Sequence, residues 1–262
     1  MAISLHLPPE WNGSPLPVHP VMEAAAYFAG YRLHRHRART EADPLSPSRR
    51  LGVIISAGMG ALLGSKLPGL WTWFVHSRSA AAPALDAGLT LPGPFGGKTL
   101  VGGILFAWLA VEAAKRILGI RVSTGDAFII PLIFAMIIGR AGCFLAGVED
   151  GTQGLPSLMP WAVDYGDGVA RHPAPLYEIA FLGMLWLGLW KARNSWAPGG
   201  RFKMFILAYM GFRFAIDFLK PDPDVALGLS SVQWTALAGL ALLAWHWRLY
   251  GSPWKTAPIR PE

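Results

Sequence analysis

The chain has 262 residues, 53% of them apolar and only 15% charged, with 12 Trp, 13 Phe and a net charge of +7. Soluble domains carry roughly 25% charged residues, so this composition excludes an ordinary soluble globule and predicts an all-α, polytopic membrane protein. The positive charge does not predict a nucleic-acid partner, because the basic residues sit between apolar runs and form no aromatic-interleaved stripe; the single Cys143 excludes an internal disulfide.

Read along the chain, the N-terminal MAISLHLPPEWNGSPLP has no basic segment followed by an apolar core, so no cleavable signal peptide is expected. A membrane span needs about 20 mostly apolar residues. Seven stretches qualify as candidates: 18–34, 51–70, 99–115, 125–143, 174–191, 203–220 and 230–248. The first is interrupted by His19 and Glu23. Most of the 23 Lys and Arg fall in alternate connections, from Arg32 to Arg50, Lys115 to Arg121, Lys191 to Lys203 and from Arg248 onward. Cytoplasmic connections carry the basic excess, which predicts an outside N-terminus and a cytoplasmic C-terminus. Residues 71–98 and 144–173 then become outer loops, the first with interfacial Trp71 and Trp73 and the second folded on its PW, YGDG and RHP turns. One domain, residues 1–262, is expected.

Ionisable groups near the membrane mark candidate sites, since each costs about 2.5–3.5 kcal/mol to insert. His19, Glu23 and Tyr27 share one face of the first span. They form either a base oriented by a carboxylate or a polar face packed on other helices. In GGKTLVGG, Lys98 precedes the third span among glycines that could cradle a phosphate, although this is no Walker motif. GMGALLG in the second span reads as close helix packing. Arg140, between Gly139 and Gly142, either grips a phosphate bidentately or snorkels to the outer interface. Flanking glycine allows close backbone approach by a ligand. Cys143 has the character of a small buried apolar residue, and no His/Cys spacing suggests zinc.

In RHPAPLYE, the prolines suit a helix start, which places Arg171, His172, Tyr177 and Glu178 near a helix N-terminus able to take an anion. The alternative is an elaborate turn into the helix. Arg213 and Asp217, four apart, can pair on one helix face, as a structural ion pair or as part of a site.

Three motifs in order resemble those of the bacterial prolipoprotein diacylglyceryl transferase family. GRAGCFLAGVE is similar to the family's G-R-x-G-N-F-x-N-G-E, RHPAPLYE to its R-H-P-S-Q-L-Y-E, and FRFAIDFLKPD to its F-R-x-x-x-E-F-x-R-x-P-D. The resemblance runs from about residue 18 to 248 and implies seven spans with an outside N-terminus. It implies an enzyme of the bacterial plasma membrane that moves the diacylglyceryl group of phosphatidylglycerol, or a related anionic phospholipid, to the lipobox thiol of a prolipoprotein signal peptide, with no cofactor. By motif match, Arg140 and Arg213 would hold the phosphate, and Tyr177 and Glu178 would shape the site. Gly142, Cys143, Glu149, Arg171, His172 and Asp217 fall within the same motifs, and Lys98 joins them as a candidate for substrate binding.

The chain departs from the family pattern at defined places. Val101 stands where the family's H-G-G has His; Cys143 and Ala146 replace its two Asn, and Glu149 is displaced. Pro175 replaces a Gln, and Asp217 a Glu. His19 oriented by Glu23 is therefore the expected substitute base. Two other readings stay open: a related membrane transferase with a different acceptor, using Cys143, and a non-catalytic phospholipid-binding protein that kept the phosphate clamp.

Overall fold

The structure, a computed structural model, describes residues 3–5, 9–11, 14–15, 17–40, 45–77 and 97–250. Arg78, Gly96, Lys255 and Arg260, and most of the expected outer loop 71–98, lie outside the described residues. Among the described residues seven α-helices follow the seven apolar stretches: α1 (Val18–Thr40), α2 (Pro47–Ser77), α3 (Leu100–Ile117), α4 (Ile129–Leu145), α5 (Ala174–Lys191), α6 (Gly200–Ile216) and α7 (Ser231–Tyr250). Two helical stretches, Pro47–Ser77 and Gly125–Leu145, are long and apolar enough by themselves to cross a membrane.

α2 continues beyond the expected end at residue 70, so Trp71 and Trp73 belong to the helix and not to the loop after it. Pro68 lies inside it without ending it. Proline lacks the N–H that closes the helical ladder, so the Gly64 carbonyl four residues earlier loses its helical donor; the neighbouring Ser65 carbonyl accepts from Thr99 N–H at 2.9 Å and ties α2 to the start of α3. Much of α2 is uncovered, with Leu51, Ile54, Ile55, Met59, Leu62 and Leu63 all exposed. An apolar face of this extent suits lipid contact and not water.

The glycine-rich segments of α2 and α3 pack against each other. A Cβ on Gly64 would lie 2.3 Å from Phe106 Cβ and 2.5 Å from Gly102 O, and one on Gly102 would lie 2.2 Å from Gly64 O. Gly102 thus brings two helices together and is not a phosphate cradle. Gly64→Ala is expected to cost about 1–3 kcal/mol by forcing the helices apart. Gly58→Ala, with nothing within 4 Å, is expected to be neutral or stabilising by up to about 1 kcal/mol. Thermal unfolding in micelles compares the two.

α4, α5, α6 and α7 surround a core in which Ile133, Leu182, Phe205, Ile206, Met210 and Leu243 are fully buried. Asp126, in the 3-10 turn Gly125–Phe128 ahead of α4, accepts from Gly199 N–H and Phe202 N–H at 2.9 Å each. It caps α6 and fixes the start of α6 beside the start of α4. The segment between α4 and α5 is folded, as its turns predict. Val163–Asp164 and Ala170–Arg171 pair antiparallel, and Ile3–Ser4 adds a parallel strand. These short strands modify the all-helical expectation. They form because the hairpin supplies the positive φ it needs at Gly166 and Gly168.

Candidate functional site

Arg140 on α4, Glu178 on α5 and Arg213 on α6 meet where the three helices converge. All three are buried, at 9%, 2% and 5% exposure. Glu178 Oε2 lies 2.9 Å from Arg140 Nε and 3.0 Å from Arg213 Nη1. Its Oε1 accepts the Tyr209 hydroxyl at 2.8 Å. The local helix geometry explains why these groups coincide. Tyr209 and Arg213 are four apart on α6 and share a face, and Glu178 is in the second turn of α5. Arg213 also reaches Asp217 at 3.5 Å, the expected i,i+4 pair. Asp217 in turn takes a close hydrogen bond from Ser230 Oγ at the start of α7.

A tight cleft beside this cluster, closed to a molecule the size of water, is lined by Arg140, Thr152, Pro175, Glu178, Arg213 and Lys220. The Lys220 side chain is only 8% exposed, and its Nζ lies 3.8 Å from Asp222. Arg140, Arg213 and Lys220 therefore face the cleft region against the buried carboxylates of Glu178 and Asp217. The lining itself sets these three cations against one carboxylate, Glu178, while Asp217 and Asp222 pair with Arg213 and Lys220 from outside it; such a low-dielectric lining attracts an anion, and the guanidinium groups present fixed, planar donors suited to phosphate.

The expected anion site at the backbone of the α5 N-terminus is not available. Ala174 N–H is bonded to His172 O, Pro175 has no N–H, and Leu176 and Tyr177 both donate to Pro173 O. Side chains, and not free amides, make this end of the cleft.

A second group lies around the first turn of α1. His19 Nδ1 is in close contact with Asp150, and its Nε2 is 4.0 Å from Glu23 Oε2. Glu23 is held by Lys98 Nζ at 3.2 Å and by Tyr27 OH at 3.2 Å. Lys98 thus partners Glu23 and lies away from the Arg140–Arg213 cluster. Cys143 links the two groups: Arg140 Nη1 donates to its Sγ at 3.7 Å. Gly142 serves helix packing, since a Cβ there would lie 2.5 Å from Met22 Cβ on α1. The open position is Gly139, with nothing within 4 Å. The Glu149 side chain lies outside the described residues; its neighbour Asp150 makes the contact to His19.

The RHPAPLYE residues divide. Glu178 enters the cluster. Tyr177 accepts from Trp161 Nε1 at 2.7 Å and sits 3.1 Å from His172 Nδ1, which ties the 144–173 segment to α5. Arg171 pairs with Asp167 at 2.7 Å in the hairpin, and this hydrogen bond holds the Asp167 carboxyl below the usual carboxylate range. Sequence reasoning missed Tyr209, Lys220, Asp150 and Thr152. The i,i+4 spacing of Tyr209 from Arg213 was the one local signal. Val101 is fully buried in the apolar core, so that position offers no polar group at all.

A sequence profile of the family "Prolipoprotein diacylglyceryl transferase" matches residues 12–248. The chain belongs to the prolipoprotein diacylglyceryl transferase family. It is 31% identical over 238 residues to the phosphatidylglycerol–prolipoprotein diacylglyceryl transferase of Methylococcus capsulatus, covering 87% of both chains. It is 30% identical to the protein of that name from Nitratidesulfovibrio vulgaris, over 85% of this chain and 83% of the relative. A third, from Nitrosomonas europaea, is 34% identical over 64% of each chain. No solved structure matches the chain. The family is one of bacterial membrane enzymes, in keeping with the apolar outer face of α2.

Proposed function

We propose that this protein transfers the diacylglyceryl group of phosphatidylglycerol to the lipobox cysteine thiol of prolipoproteins, as a single seven-span domain of the bacterial plasma membrane. In this reading the N-terminus and the site face outward. The observation that carries it is the buried Arg140–Glu178–Arg213 cluster at a cationic cleft. The phosphate of the lipid lies against Arg140 and Arg213, with Lys220 as a third cation. Glu178 fixes both guanidinium groups in advance, so little reorganisation accompanies the reaction. The incoming thiol loses its proton at the His19 end of the site. Its sulfur attacks the glyceryl carbon bearing the phosphate ester, the C–O bond breaks, and glycerol phosphate departs with the electron pair while the arginines hold its charge.

The test incubates the purified protein with labelled phosphatidylglycerol and a lipobox peptide, and mass spectrometry looks for a diacylglyceryl thioether on the peptide. Product formation that depends on His19 is expected, with His19→Ala reduced by about 10²-fold or more. Phospholipid binding without any thioether would instead support the reading of a clamp without transfer, which the apolar Val101 favours.

A further inference from the structure

His19 on α1, Cys143 on α4 and Asp150 in the 3-10 turn Gly147–Asp150 come from three separate elements. One ligand atom from each lies within 4.8 Å of the others. We propose that these three residues hold a zinc ion whose fourth position takes the acceptor thiol. This rests on the transfer reaction proposed above and names how that thiol is activated.

The donor set carries the argument. One imidazole nitrogen, one thiolate and one carboxylate match the borderline-soft preference of Zn²⁺. Three protein ligands with an open fourth position are the arrangement of catalytic zinc, whereas structural sites are closed by four. Charge also balances, because the Cys143 thiolate and the Asp150 carboxylate neutralise the ion. Arg140, 3.7 Å from Cys143 Sγ, then faces no unpaired positive charge. Outer contacts are in place as well. Thr152 Oγ1 donates to the second Asp150 oxygen at 2.7 Å, and Glu23 stands at the far nitrogen of His19. Such partners orient metal ligands. Cys143 is buried and the Asp150 side chain is 8% exposed, while that of His19 is 44% exposed, so the open position faces the His19 side.

The placement also serves the reaction. Cys143 is one helical turn from Arg140, so an ion on Cys143 sits beside the guanidinium that holds the phosphate. A thiol bound to zinc gives up its proton outright. The lipobox thiol passes its proton to water on binding, and its sulfur forms the C–S bond as the C–O bond to phosphate breaks. No oxidant or reductant takes part. The ion supplies the deprotonation that the buried Val101 cannot, and His19 acts as its ligand.

Cobalt(II) is the probe. Titrating the purified full-length protein should give one tetrahedral Co²⁺ per chain with a sulfur-to-metal charge-transfer band, displaced by Zn²⁺. Cys143→Ser should lose that band, and adding the lipobox peptide should shift it. A titration that leaves the spectrum flat, or a band that survives Cys143→Ser, overturns the proposal. Cys143 is the one cysteine in the chain, so the wild-type protein offers a second measurement. Zn²⁺ should slow its modification by a small thiol reagent about tenfold or more, reversed by chelator; equal rates count against the site. Transfer activity that persists in metal-free protein overturns the zinc inference and leaves the transfer reaction standing. Metal binding with no transfer under any condition removes the transfer reaction and the role given to the ion in it.

Discussion

Replacing Glu178 by Gln is expected to destabilise the protein by about 3–5 kcal/mol, the cost of leaving a buried charge without its partner. The reason is the number of groups that depend on this one carboxylate. It holds Arg140 at 2.9 Å, Arg213 at 3.0 Å and the Tyr209 hydroxyl at 2.8 Å, and it is 2% exposed. Without its charge, two guanidinium groups face each other in a dry site, with Asp217 at 3.5 Å from Arg213 as the remaining anion. A loss of this size lowers the melting temperature by roughly 10 °C for a chain of this length. Thermal unfolding in micelles measures it. Because breaking a pair is worse than replacing both members, Glu178→Gln combined with Arg213→Met should recover part of the loss. A single Glu178→Gln variant that melts with the wild type would show that the cluster is not what joins α4, α5 and α6.

Arg140→Lys is expected to lower the rate of diacylglyceryl transfer by about 10²–10³-fold, the scale for removing one preorganised donor from a developing charge. Lysine keeps the charge. It loses the planar fork that lets Nε bind Glu178 while Nη1 reaches Cys143 Sγ. Arg213→Lys should behave alike for the same reason. Arg171→Ala is the contrasting case. Arg171 lies in a family motif but pairs with Asp167 in the exposed hairpin, so its loss should change the rate by no more than about threefold, in line with the small worth of surface pairs. Rates measured with labelled phosphatidylglycerol and a lipobox peptide decide the matter. Equal losses from Arg140→Lys and Arg171→Ala would detach the site from the buried cluster.

The glycines show where reading motifs alone goes astray. Gly102 and Gly142 sit in segments that resemble phosphate or ligand contacts. Both are places where helices touch, against Gly64 and Met22. A sequence marks glycine as permissive but does not state which neighbour exploits the space. The α5 N-terminus makes the same point, because its proline pattern marks a helix start while the bonds to His172 O and Pro173 O leave no amide for an anion.

The positions of the seven α-helices are legible from the residues alone, because each depends on a local run of apolar residues of sufficient length. The sequence also sets the order of three motifs that resemble one family, and Arg140, Glu178 and Arg213 were all named from them. What it left open was which charges neutralise which. The spacing of Arg213 and Asp217 offered an i,i+4 pair, yet the shorter contact of Arg213 is to Glu178 on another helix. Asp150 gave no local signal, although it is the group that meets His19. These pairings depend on how α1, α4, α5 and α6 pack, and that packing is a property of side-chain volumes and caps such as Asp126 spread across the whole chain. Helix position is local and readable from period and length; the electrostatics of the site are long-range and follow from how the helices pack.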